Sequence, residues 1–110
     1  MLILYYLWTM RRVIWWLIVG TKGGVNRARI LRALKERPYN ANQLSDVLEL
    51  DYKTVRHHLK VLLENKVIAE AGSGYGTAYF LSDGMESEYE VFKEYLDKVW
   101  NKFKRGGEKE

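Results

Sequence analysis

The sequence predicts a mainly α-helical fold with one small β-hairpin and a helical arm at each end. Three observations carry this. Residues 40–63, NANQLSDVLELDYKTVRHHLKVLL, read as two short amphipathic helices across a tight turn. Two short strand-like runs follow, separated by the glycine-rich tip GSGYG. From Met85 to Phe103 apolar residues then recur at spacings of 4, 3, 4, 3 and 4.

A chain of 110 residues that is 47% hydrophobic fits one domain with a core of its own. Its four Trp, eight Tyr and three Phe gather mostly at the two ends, which predicts burial beyond a minimal monomer core. The absence of cysteine excludes disulfides, thiolate metal sites and cysteine nucleophiles, and is compatible with a reducing, cytoplasmic setting. The net charge of +4 is unevenly spread. Residues 10–66 hold twelve Lys/Arg against five Asp/Glu, whereas residues 67–110 hold six against nine. The basic part contains the paired helices, so a polyanion is the partner that fits them.

The first element, residues 1–20, is almost wholly apolar apart from Arg11-Arg12. Its length matches a membrane span, but each arginine costs roughly 2.5–3.5 kcal/mol at mid-span. The favoured reading is a helix buried in a dimer interface; a membrane anchor and a frayed start, with Met10 as a second initiation site, are the alternatives. Gly20-Thr21-Lys22-Gly23-Gly24 reads as a flexible joint and lacks the pattern of a phosphate-binding loop.

A domain is expected over residues 25–82. Asn26 is a candidate cap for a helix to Arg37, with Ala28, Ile30, Leu31 and Leu34 inward and Pro38 as the stop. Asn40-x-x-Gln43 resembles a capping box for the next helix. Leu50 plugs the turn, and Asp51 caps a third helix from Tyr52 to Asn65. Steps of 100° per residue put Val55, Leu59 and Leu62 on its core face and Lys53, His57 and Lys60 opposite. Such a pair is a helix-turn-helix, whose second helix enters the DNA major groove. Strands are expected over residues 67–71 and 77–81, forming a hairpin wing. A last helix over residues 85–104 and a disordered tail, 105–110, complete the chain.

With these residues in view, the stretch Leu44–Ile68 resembles the winged-helix regulators of the ArsR type. The run TVRHHLKVL at 54–62, followed by ENKVI at 64–68, is similar to that family's recognition helix leading into the wing. Trp15-Trp16-Leu17, Gly20–Gly24, Arg27–Ile30 and Arg37–Leu44 resemble an archaeal branch of these proteins, so the likeness covers about residues 10–81. It implies a transcriptional regulator: a homodimer reading a palindromic DNA operator, its terminal helices at the dimer interface. There are two departures. The known metal sites of such sensors use Cys pairs, or His and Asp on the last helix; this chain has no Cys and its last helix no His, so metal sensing is not inherited. Glu49 stands where the turn often has Gly, which asks for a left-handed backbone at a residue that pays for it.

The candidate DNA-binding residues are Lys53, Thr54, Arg56, His57 and Lys60 on the groove face. Arginine grips guanine in bidentate fashion and lysine neutralises phosphate. Gln43 and Tyr52 are candidate phosphate contacts near helix N-termini, and Tyr75 is a backbone contact at a wing tip without Arg or Lys. The candidate dimer interface is Leu7, Trp8, Ile14 and Trp15 with Met85, Tyr89, Phe92, Leu96, Val99 and Phe103. No catalytic residue, cofactor or metal is expected, since no paired carboxylates, Ser/His/Asp set or phosphate loop is legible. A membrane-tethered regulator and a winged helix serving protein–protein contact are the alternative functions.

Overall fold

The computed structural model describes the backbone of residues 2–108 and the side chains of residues 9–98 and 101. Its elements are α1 (Leu2–Ile18), α2 (Gly24–Glu36), α3 (Ala41–Leu48), α4 (Tyr52–Glu64), β1 (Ile68–Ala71), β2 (Ala78–Leu81) and α5 (Asp83–Glu108). The strands pair antiparallel with Ile68 opposite Leu81 and Ala71 opposite Ala78. Tyr39, just beyond α2, exchanges two backbone hydrogen bonds with Tyr79 and so ties the hairpin to the helices. This is a winged helix-turn-helix with an arm at each end.

The caps explain where the helices begin and stop. Asn40 and Gln43 form a reciprocal capping box at 2.8 and 2.9 Å. Asp51 accepts from the Thr54 amide and starts α4. Asn26 does not cap α2, which begins earlier: Gly23 holds the cap position without a side-chain bond. Arg37, ahead of Pro38, is extended and ends α2, as the proline demands. α3 and α4 end alike. Leu50 donates to the Ser45 carbonyl and Glu49 to that of Asp46; Val67 donates to Leu62 and Lys66 to Leu63. These are two Schellman closures, each with a left-handed residue that is not glycine, Glu49 at φ 54° and Lys66 at φ 62°. Ser82 marks the start of α5: its hydroxyl accepts from the Met85 amide, and the helix begins at Asp83, two residues ahead of the expected start at Met85. The helix then continues past Lys104, through Glu108.

The Gly23-Gly24 segment is packed rather than loose. A Cβ on Gly24 would stand 1.8 Å from the Ile18 carbonyl oxygen, so α1 runs into the first residue of α2.

The core joins the arms to the domain. Met10, Ile14, Leu17 and Ile18 of α1, Ile30, Leu31 and Leu34 of α2, and Met85, Tyr89, Phe92 and Leu96 of α5 form one buried cluster with Leu44, Val55, Leu59 and Leu62. Ile14, Met85, Tyr89, Phe92 and Leu96, expected at a dimer interface, are buried within the single chain. Ile14, Met85 and Leu96 are 0% exposed within a single chain and present nothing to a second copy. The physical reason is that α5 lies against both α1 and α2, so the described part of its seam, Met85 to Leu96, packs within the chain. Trp15, by contrast, is exposed, together with Trp16 on α1, Val19 just after it, and Val91 and Tyr95 on α5. Leu7, Trp8, Val99 and Phe103 lie outside the described side chains.

Ion pairs fasten the arms. Arg11 Nε donates to buried Glu88 at 2.6 Å, and Lys35 meets Glu86 at 2.9 Å. Among the described residues no helix is long and apolar enough to cross a membrane.

Candidate nucleic-acid interface

α4 is built to show one polar face. Val55, Leu59 and Leu62 are at most 1% exposed, which pins the helix to the core. Lys53, Arg56, His57 and Lys60 are exposed on its other side, with Thr54 and Tyr52 half-buried at its start. The structure thus brings Lys53, Arg56, His57 and Lys60 onto one surface. No acidic residue lies between Tyr52 and Leu63, so the field of this face is positive.

Arg56 is held rather than loose. Its Nη1 donates to the Tyr79 hydroxyl at 2.8 Å, linking α4 to β2. Tyr79 is 2% exposed, and a buried phenol needs such a partner. The sequence reading missed this pair. The alternation in AYFL marks Tyr79 as inward-facing, but nothing in it announces the cross-element bond. A shallow cleft lies beside the pair, lined by Asn42, Tyr52, Arg56, Tyr75, Thr77 and Tyr79. The helix pair, the root of the wing and its tip therefore meet around Arg56.

Gln43 and Tyr75 each have a distinct structural setting. Gln43 spends its side-chain oxygen on the capping box, which makes it first a structural residue. Tyr75 is 84% exposed within a single turn of 3-10 helix, Gly74–Gly76. That tip is shaped by Gly72 at φ 98° and Gly74 at φ 57°, and by the Thr77 hydroxyl bonding the Gly74 carbonyl. Gly72 is required twice over, since a Cβ there would also meet the Gly76 carbonyl oxygen at 2.9 Å.

The adjacent histidines divide as their 100° separation implies. His57 is exposed on the polar face, and His58 is 6% exposed beneath it. His58 Nδ1 accepts from Arg27 Nη1 at 3.2 Å. Burial, then the Arg27 and His57 charges, push its pKa down to about 4, so it is a neutral acceptor at physiological pH. Among the described residues no cluster of His, Cys, Asp or Glu could hold a metal ion.

Comparison with known proteins agrees with this architecture. Residues 24–68 match the model of the bacterial regulatory protein, arsR family, which spans α2 to the start of β1. Among solved structures, the adhesin competence repressor AdcR from Streptococcus pyogenes is similar at 17% identity and a TM-score of 0.56, over 76% of this chain and 64% of that one. Staphylococcus aureus MarR, solved in complex with salicylate and kanamycin, is similar at 21% identity and a TM-score of 0.59, over 74% of this chain and 57% of that one. The chain thus spans less than two-thirds of the length of these proteins. At such identities the likeness establishes the winged-helix fold. No curated protein matches the sequence.

Proposed function

We propose that this chain is a DNA-binding transcriptional regulator that acts as a homodimer on a palindromic operator, with α4 in the major groove. The observation that carries the reading is the exposed Lys53, Arg56, His57 and Lys60 surface on a helix whose other side is locked into the core. Arg56 is the base reader in this reading, its guanidinium aimed by Tyr79, while Lys53 and Lys60 neutralise phosphates. Thr54, Tyr52 and Tyr75 flank the track as backbone contacts. The arsR-family match over residues 24–68 supports the same reading. The homodimer is supported by the exposed Trp15, Trp16, Val19, Val91 and Tyr95, a load of large apolar side chains that a free monomer would leave in water.

The deciding experiment is binding to the DNA upstream of the protein's own gene and to a scrambled duplex, across a salt series. A preference for the upstream DNA that persists at high salt is expected. Equal binding of both, lost steeply with salt, would reduce the surface to an electrostatic one and defeat the sequence-specific reading.

A further inference from the structure

Arg27 is 5% exposed, and its side chain reaches three places. Nε donates to the Leu17 carbonyl at 2.9 Å, in the last turn of α1. Nη2 donates to the Thr21 hydroxyl, in the turn between α1 and α2. Nη1 donates to His58 Nδ1 on α4. The Thr21 hydroxyl in turn donates to the same Leu17 carbonyl at 3.1 Å. A carbonyl, a hydroxyl and an imidazole nitrogen therefore hold this cation.

A neighbouring residue makes room for the arrangement. A Cβ on Gly23 would stand 2.4 Å from Arg27 Nη1 and 2.8 Å from His58 Cε1. Gly23 has φ −84°, open to any residue, so the guanidinium–imidazole pair and not the backbone calls for glycine. A planar fork reaches its three acceptors from three different nitrogens, whereas an ammonium must donate all its hydrogens from one point. As a source of stability such a buried cation is poor, because apolar residues of equal volume commonly do as well or better. What it supplies is a fixed geometry, and the geometry joins α1 to the helix that carries the DNA-facing residues. His58 is the immediate neighbour of His57, their rings 5.3 Å apart.

We propose that Arg27 is a positioning residue: it locks α4 to the end of α1 through His58, so that the setting of the DNA-facing helix follows the position of the N-terminal arm. The locking is a property of the chain itself; its consequence for DNA rests on the function proposed above. It makes the α1 end, the Gly23-Gly24 contact and α4 one rigid unit, through which anything that moves the arm reaches Lys53, Arg56, His57 and Lys60.

The test has a DNA-free arm and a DNA arm, both on the full chain. In the first, amide hydrogen exchange is followed at Leu17–Thr21 while the change is made on α4. His58→Leu removes the acceptor, and protection of the α1 end is expected to fall by about tenfold, while His58→Gln, which keeps an acceptor, retains most of it. Unchanged protection in a folded His58→Leu variant overturns the coupling whether or not the chain binds DNA. In the second, Arg27→Met is expected to lower the ratio of specific to scrambled-DNA affinity by about tenfold and leave scrambled-DNA affinity unchanged, because the phosphate-facing lysines stay in place. Arg27→Lys should behave as Arg27→Met does. Equal loss on both DNAs, or no loss on either, overturns the positioning role. Absence of DNA binding by the wild type defeats the proposed function, with the exchange result still deciding the coupling.

Discussion

Three residues, Glu49, Lys66 and His58, carry a backbone conformation or a charge state that costs something at the residue scale. The left-handed Glu49 was legible, because the turn of a helix-turn-helix needs such a residue and the sequence offers no glycine there. Lys66 was not. Its conformation follows from the closure that turns α4 into β1, where Val67 must reach back to the Leu62 carbonyl. Lys66 is exposed, so Lys66→Gly should relieve the left-handed penalty and raise stability by about 0.5–1 kcal/mol in denaturant unfolding. His58 gives a second measurement. Its folded pKa of about 4 lies below the ordinary 6.5, so the unfolded chain binds the extra proton between these values. Its neutral form therefore contributes fully above pH 6.5, and that contribution fades as pH falls toward 4, by on the order of 2–3 kcal/mol. Comparing unfolding of wild type and His58→Gln across that window should show a shallower pH dependence in the variant. Equal slopes would mean that His58 is protonated in the folded chain as readily as in the unfolded one.

The secondary-structure elements were legible wherever a local signal sets them. The capping box at Asn40, the Asp51 cap, the polar face of α4 and the hairpin all follow from neighbours in sequence. The start of α2 was misplaced because Asn26 is a good cap by type, while the decisive contact, Gly24 against the Ile18 carbonyl, comes from another element. The Arg56–Tyr79 bond was hidden for the same reason, its partners standing 23 positions apart. It separates two kinds of cation on α4. Lys60→Ala should weaken binding to every DNA alike and flatten the salt dependence by about one unit. Arg56→Ala should relax sequence preference, with a loss of about 1–3 kcal/mol confined to the preferred site. Tyr79→Phe keeps the charge but removes its anchor, and should reproduce part of the Arg56→Ala effect in the same competition assay. If Arg56→Ala and Lys60→Ala prove indistinguishable, Arg56 is another phosphate contact.

At the scale of the whole molecule, the arms show where sequence pattern stops being informative. A 4-3-4-3-4 seam says that a helix packs against something, and not whether the partner is its own chain. Here α1 and α2 supply the partner, with Met10, Ile14, Leu17 and Ile18 meeting the buried cluster that holds Met85, Tyr89, Phe92 and Leu96. Arg11, which reads as a flaw in an apolar segment, is what allows Glu88 to be 3% exposed on α5. A carboxylate so buried without its cation would cost several kcal/mol, about 3–5. Among the described residues of the arms, the large apolar side chains left exposed are Trp15, expected at the interface, with Trp16 on α1, Val19 just beyond it, and Val91 and Tyr95 on α5. This moves the dimer argument from the seam to the outer face and makes it testable by two substitutions with opposite signatures. Leu96→Ala opens a cavity inside one chain, so it should lower stability by about 2–5 kcal/mol and leave the association constant of the folded protein nearly unchanged. Trp15→Glu alters an exposed position, so the chain should stay folded by circular dichroism while sedimentation shows dimers giving way to monomers. It should also steepen the dependence of operator binding on protein concentration, since two half-sites need two copies. A wild type that sediments as a monomer at all concentrations would remove the dimer, and with it the palindrome, from the proposal.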